Sequence, residues 1–419
     1  MKIIDLVCVP VRSGFYREDL AAIRAGAPHD GFLYLGDPVT PGFAGIREPG
    51  IAISVMLVLS DGSVALGDCA EVQYPGAGGR SQLVTISDAL AELQQTVAPV
   101  LIGREITGFR LLADEVESLT VDGQQLSTAV RFGVSQALLN AAALAAGVTM
   151  AEVVQSEYST GIEIAPVPLY AQSGDDRYLN VDKMILHEVD VLPHGLINDI
   201  DSKLGADGSI LKNYILWLVD RVSALRVRPD YQPRFHFDTY GTIGIAFGLN
   251  IDRIADYLGE LSAAAAPFRL RIEHPIDAGS RENQIETYVR LRQALADREI
   301  AVDIVVDEWC NTRDDIELFL EAGAADVIHV KMPDLGGVGS TIEALLRVRA
   351  SGVAALCGGS CNETDVSARV SAHIAMACGA DQLLAKPGMG VDEALMIVGN
   401  EMARTMALSG RRPQISTQP

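Results

Sequence analysis

The sequence predicts an α/β chain in which a (β/α)8 barrel of the TIM type follows an N-terminal α+β capping domain. Three observations point there. Eight short apolar runs between Val167 and Lys386, among them VPLYAQ, FHFD, LRIE, DIVVD, VIHVK and AALCGGS, are separated by stretches with helical patterning. Strand and helix alternating eight times is the pattern of a parallel barrel. The runs finish, in order, on Gln172, His194, Asp238, Glu273, Asp307, Lys331, Ser360 and Lys386, all polar residues capable of chemistry. A barrel of this kind builds its active site at the C-terminal ends of its strands. Finally, 419 residues exceed the needs of a barrel and leave about 150 for a domain in front of it.

Taken in order, residues 1–160 read as the α+β domain. IIDLVCVPV, GFLYLG, IAISVMLVLS and SVALGDCAEV carry strand patterns, and an Asp61-Gly62 turn joins the last two into a hairpin. Helical patterns follow at about 84–98, 109–118 and 126–146, the last rich in Ala and Leu. Near residue 160 the pattern changes to the βα repeat, which places the barrel at 161–410. Its helices space apolar residues three and four apart, as in NYILWLVDRVSAL and DDIELFLEAGA. Residues 411–419, inside the polar ending SGRRPQISTQP, are expected to form a flexible tail.

Composition narrows the function classes. With 48% apolar residues the chain can bury a large core, and its net charge of −22 argues against nucleic acid or an anionic membrane as partner. Cys8, Cys69, Cys310, Cys357, Cys361 and Cys378 are scattered, with no C-x-x-C pair, and read as reduced thiols. The start, MKIIDLVCVP, lacks a basic stretch followed by a long apolar one, so no signal peptide is expected. No run of about 18 apolar residues is read, and so no spanning helix. The expectation is a soluble, cytoplasmic enzyme acting on a small molecule.

The strongest chemical signal is the trio Asp238, Glu273 and Asp307. One βα unit takes roughly 30 or more residues, so the spacing of these acids puts them at the ends of three consecutive strands. Three adjacent carboxylates repel one another unless a cation sits between them. All-oxygen ligation suits a hard ion such as magnesium. Each acid alone could equally cap the helix that follows it. Lys331 closes the next strand and is one of six lysines in the chain. Burial and a neighbouring positive charge both favour the neutral amine that a general base needs; a lysine snorkelling at the barrel rim is the alternative. His194, in VLPHGLIN, should face Lys331 across the barrel mouth, and Gln172 can offer its amide to a carboxylate. The turn CGGSCNET can cradle a carboxylate through Ser360 and the Cys361 N–H, or be an ordinary tight turn.

These residues, with GDCAEVQYPGAGGR, LIGREIT, AQSGDDRY, DTYGTIG, VDEWCNT, MPDLGG and LAKPGMGVDE, resemble the methylaspartate ammonia-lyase family of the enolase superfamily, over about residues 1–410. That superfamily pairs a Lys or His base with magnesium, which stabilises an enolate-type intermediate. The resemblance implies an enolase-like fold and magnesium held by Asp238, Glu273 and Asp307. It implies Lys331 as base, His194 as second acid/base, and substrate contacts from Gln172, His329, Ser360, Cys361, Leu384, Gln73 and Tyr170. A monovalent cation such as potassium is a further candidate cofactor, and a homodimer or larger homo-oligomer the expected assembly.

The implied reaction is reversible loss of ammonia from (2S,3S)-3-methylaspartate to give mesaconate, a step of glutamate degradation. Some positions depart from the family pattern. Glutamine is common at His329, threonine at Ser360, glycine at His274, tyrosine at Leu356 and phenylalanine at Tyr170. His329 lies two residues before Lys331 and is expected to donate to a substrate carboxylate. Two other readings remain. An isomerase or racemase of the same superfamily would place Lys-x-Lys at the second barrel strand, and no Lys-x-Lys occurs here. A non-catalytic scaffold should have lost an acid or the lysine, and all four are present.

Overall fold

A computed structural model describes residues 1–411; the tail expected at 411–419 lies outside them apart from its first residue. The N-terminal part is built on a three-stranded antiparallel sheet of β1 (Ile3–Glu18), β2 (Arg47–Leu59) and β3 (Val64–Cys69), in that spatial order. The expected Asp61-Gly62 hairpin is there: Val58 pairs with Val64, and Gly62 turns the chain at φ +88. GFLYLG contributes only the two-residue strand Leu33–Tyr34, paired with His29–Asp30. Its side chains Phe32, Leu33 and Leu35 stand exposed, so no core selects a longer strand.

Helices cover the sheet. One runs from Ile86 through the π-type turns of Glu92–Val97 to Leu101, another over Arg110–Glu117, and a third over Thr128–Ala146. Ser127 caps the third by accepting the Val130 N–H, and Gly147 ends it at φ +65. This 19-residue helix is long and apolar enough to cross a membrane, which corrects the expectation that no such segment exists. Most of it is buried inside the protein, against β3 and neighbouring helices, which accounts for an apolar surface on all sides.

From Leu169 the chain closes the barrel. Its eight parallel strands are β4 (Leu169–Tyr170), β5 (Val191–His194), β6 (Arg234–Asp238), β7 (Leu270–Glu273), β8 (Val302–Val306), β9 (Val327–Val330), β10 (Ala354–Cys357) and β11 (Gln382–Leu384). β11 pairs with β4 to complete the ring. Both faces of these strands are covered, with side chains inside and helices outside. Tyr170, Val191, Val305, Val327, Leu356 and Leu384 pack inside the barrel.

Register then places the chemistry. Asp238 pairs with Glu273, and Glu273 with Val305, two residues short of Asp307 and on the same face. Val306 pairs with Ile328, which brings Asp307 level with His329, two residues before Lys331. The N-terminal domain lies over this end. Gly14 N–H donates to Glu363 O at 2.7 Å, Gln73 N–H to Ser360 Oγ at 3.0 Å, and Trp309 N–H to Gly78 O at 3.0 Å.

Candidate active site

One cavity at the C-terminal ends of the strands is lined by Gln73, Tyr170, Gln172, His194, Asp238, Glu273, Asp307, His329, Lys331, Ser360, Cys361 and Leu384. The structure therefore brings together the residues expected there, with Lys386 the exception. Val72, Tyr74, Arg80, Tyr240, Glu308 and Gly359 complete the lining, and none of these was foreseen as part of the site. Lys386 ends the eighth run but turns away. Its Nζ lies 2.8 Å from Glu363 Oε2 and donates to Gly358 O at 2.7 Å, fully buried behind the cavity.

Glu273 is the best-determined acid. His236 Nδ1 accepts from Gln382 Nε2 at 2.9 Å, because the Gln382 oxygen is taken by Arg271 at 2.5 Å. The His236 proton is thus on Nε2, donated to Glu273 Oε2 at 2.8 Å. Burial lowers the imidazole to about 4, partly offset by Glu273, so it stays neutral near pH 7. On the other side His329 Nε2 accepts the Gly359 N–H at 3.2 Å, which leaves Nδ1–H to donate to Glu273 Oε1 at 2.6 Å. Burial works against the charged carboxylate, but His329 and His236 outweigh it and hold Glu273 well below the usual range.

Asp238 is less well served. Its Oδ2 lies 3.5 Å from His194 Nε2, and its Oδ1 accepts the Tyr240 N–H at 3.3 Å. Burial first, and the Glu273 charge second, push it up to about 6. Asp307 has the opposite balance. Burial opposes its charge, but Lys331 Nζ at 2.7 Å from Oδ2 and Arg80 Nη2 at 3.1 Å from Oδ1 hold it far below the ordinary range.

Lys331 differs from its expectation. Burial and Arg80 do push the amine toward neutrality, yet Asp307, Asp334 and Glu308 outweigh them and raise its pKa. The sequence offers only the expected metal as a neighbouring positive charge; Arg80 and the ion pair with Asp307 need the fold. His329 also differs, since both its ring nitrogens are engaged by Glu273 and Gly359 rather than offered to a substrate carboxylate. His274, held at φ +45 with no exposure, places Nδ1 3.0 Å from Glu308 Oε2.

The remaining lining suits a small dicarboxylate. Ser360 Oγ accepts the N–H groups of Gln73 and Asn362, at 3.0 and 3.2 Å, which leaves its proton to donate. Gln172 Nε2 donates only a long 3.4 Å bond, to Ala385 O. Cys361 Sγ rests on Gln73 Oε1 at 3.3 Å, and Gln73 Nε2 donates to Glu18 Oε2 at 2.7 Å. Tyr170 stacks on His236, centroids 4.2 Å apart, and pairs in register with Leu384. The Tyr170 hydroxyl and His194 Nδ1 are buried without a hydrogen-bond partner in the structure.

The donor set fits a hard divalent cation. Asp238, Glu273, Asp307 and Glu308, four carboxylates, share the cavity with two fixed cations, Arg80 and Lys331, and the all-oxygen donors are those magnesium takes. Among the described residues, the side chains grouped tightly enough to share an ion are Glu273, Asp307 and His329, with ligand atoms within 4.8 Å of one another. The tautomer argues against His329 as a ligand in place of Asp238. Ligation through Nδ1 would move the proton to Nε2, against the Gly359 N–H.

A family model described as the N-terminus of methylaspartate ammonia-lyase matches residues 1–159, and its C-terminal counterpart residues 161–411. The methylaspartate ammonia-lyase of Clostridium tetanomorphum is 53% identical over 412 residues, covering 98% of this chain and 100% of that one. The magnesium complex of that organism's β-methylaspartase superposes with a TM-score of 0.93, over 98% of this chain and 100% of the other. The Citrobacter amalonaticus enzyme containing (2S,3S)-3-methylaspartic acid is 47% identical, with a TM-score of 0.95 over 97% of this chain and 99% of that one.

Proposed function

The chain belongs to the methylaspartate ammonia-lyase family, and on that premise we propose how its residues divide the magnesium-dependent, reversible elimination of ammonia from (2S,3S)-3-methylaspartate to give mesaconate. The observation that carries the reading is the convergence, inside one buried cavity, of three carboxylates from neighbouring strands with Lys331 Nζ 2.7 Å from the last. Magnesium held by Asp238, Glu273 and Asp307 supplies positive charge against the substrate carboxylate next to C3, and draws on the Asp307 charge that otherwise keeps Lys331 protonated.

Lys331 Nζ is the base. It accepts the C3 proton, and the electrons of the broken C–H bond move into the adjacent carboxylate as an enolate. Their return forms the C2–C3 double bond while the C2–N bond breaks and ammonia leaves. His194, on the strand beside Asp238, serves as acid/base toward the other C3 epimer. Gln172, the Ser360 hydroxyl and the Cys361 N–H hold the carboxylates, while Leu384, Tyr170 and Gln73 shape the space around the methyl group and amine. His329 acts on Glu273 in this arrangement.

The test follows ultraviolet absorbance of the unsaturated diacid from 3-methylaspartate. Absorbance should rise with magnesium present, stop after exhaustive chelation and resume when magnesium is returned. Turnover that survives exhaustive chelation would contradict the metal's part. Residues 1–160 cap the site and 161–410 carry its ligands and base in this reading. A cytoplasmic homodimer or larger homo-oligomer completes it. The free thiols support the compartment, and Val7 and Leu66, exposed either side of Met56 on the outer sheet face, support the assembly. Light scattering at the monomer mass of 44.7 kDa would contradict the assembly, as would recovery outside the cytoplasmic fraction the compartment.

A further inference from the structure

Arg80 comes from the glycine-rich stretch YPGAGGR of the N-terminal domain, a motif that no step of the reaction uses. Its side chain is 2% exposed, yet it carries a charge that a protein does not remove. Nη2 lies 3.1 Å from Asp307 Oδ1, Nη1 3.2 Å from Glu308 Oε1, and Nε 2.9 Å from Asp334 Oδ2. A buried guanidinium with one partner would be costly; here three acids surround it. Those acids are the metal carboxylate, its chain neighbour, and the residue three positions after Lys331.

The loop that delivers Arg80 is shaped for the purpose. Gly78 has φ +58, and a Cβ there would lie 2.5 Å from Glu308 Cγ. Its carbonyl accepts the Trp309 N–H at 3.0 Å and the Asn311 amide at 2.8 Å. The loop therefore docks on the turn that follows Asp307, and only a residue without a side chain permits that approach. Asp307 is then gripped through both oxygens, Oδ1 by Arg80 and Oδ2 by Lys331, which fixes the plane of the carboxylate.

We propose that Arg80 is a positioning residue of the metal centre, carried into the barrel by the N-terminal domain, that orients Asp307 and offsets part of the centre's negative charge. The inference rests on the reading that Asp307 belongs to a magnesium site. Its sign separates it from a mere strut between domains. A fixed positive charge on Asp307 opposes a divalent ion on the same carboxylate, so removing it tightens the ion's binding. Removing a strut would loosen the site and weaken it. Turnover falls in the variant all the same, because Asp307 and Lys331 lose the contact that sets their geometry.

The experiment is calorimetric titration of the full chain with magnesium chloride, beside ammonia-release kinetics, for wild type, Arg80→Gln and Arg80→Lys. Arg80→Gln should bind magnesium on the order of tenfold more tightly while kcat falls by roughly 10- to 100-fold. Arg80→Lys restores the charge but lacks the planar fork, so its magnesium affinity should return to near the wild-type value while kcat stays depressed. Unchanged or weaker magnesium binding by folded Arg80→Gln, with only a lower Tm, would overturn the proposal. Should Arg80→Gln fail to fold, Arg80→Lys decides: wild-type kcat in that variant would overturn it. Absence of saturable magnesium binding by wild type would instead remove the metal site on which the proposal rests.

Discussion

At the scale of single residues, two imidazoles holding one carboxylate organise the site. His236 and His329 each give one proton to Glu273, and each is fixed in its tautomer by a donor behind it, Gln382 or the Gly359 N–H. Asp238 has no such support, and its carboxyl is pushed up to about 6 by burial and by Glu273. A folded-state value above the ordinary one means the proton is held more firmly, so proton and metal compete for the same oxygens as pH falls. Magnesium affinity should be near its plateau above about pH 7 and drop as pH falls through about 6, by up to about tenfold per unit. Calorimetry at both ends of that range checks it, and equal affinities would remove Asp238 from the ligand set.

Asp238, Glu273, Asp307 and Lys331 were legible in the sequence because strand ends in a barrel converge whatever lies between them. Arg80 was not, since 227 positions separate it from Asp307 and a glycine-rich loop carries no periodic signal. The partners of His329 were hidden for a related reason. Two residues' spacing gives the direction of a side chain but not the tautomer, which depends on a backbone N–H from the neighbouring strand's end.

At the scale of elements, the turn after β10 shows how a short motif is held in a working shape. Glu363 Oε2 accepts the Ser360 N–H at 2.8 Å and meets Lys386 Nζ at 2.8 Å, so a fully buried ion pair supports the turn that carries Ser360 and Cys361. Breaking such a pair by removing one partner is far costlier than its net contribution suggests. Gly359 sits against it: a Cβ would lie 2.0 Å from Glu363 Oε2 and 2.2 Å from Lys386 Nζ. Gly359→Ala should therefore displace the turn, raise KM for 3-methylaspartate by roughly tenfold or more, and lower the Tm, an overpacking cost of about 1–3 kcal/mol. Steady-state kinetics and a thermal melt check both, and an unchanged KM would show that the turn does not hold substrate. The sequence showed CGGSCNET as a turn; the partner of Lys386 needed the fold, because the strand-end rule says where a side chain starts and not which way it leaves.

At the scale of the whole molecule, the architecture followed from alternation and length, while GFLYLG did not become the strand its pattern suggested, for want of a core to cover it. The Thr128–Ala146 helix makes the converse point: an apolar sequence within the N-terminal domain took its character from burial between β3 and the surrounding helices. That domain closes the cavity through Gln73 and Arg80, so ligands and base from the barrel work under a lid built by the other part of the chain. In the proposed reaction Lys331 removes the C3 proton. The most direct test of that step is exchange of that proton of (2S,3S)-3-methylaspartate with deuterium, followed by NMR in the presence of magnesium. Wild type should exchange it, and Lys331→Ala should lose roughly 10²–10⁴ in rate with unchanged far-ultraviolet circular dichroism. Exchange at the wild-type rate in Lys331→Ala would contradict the assignment.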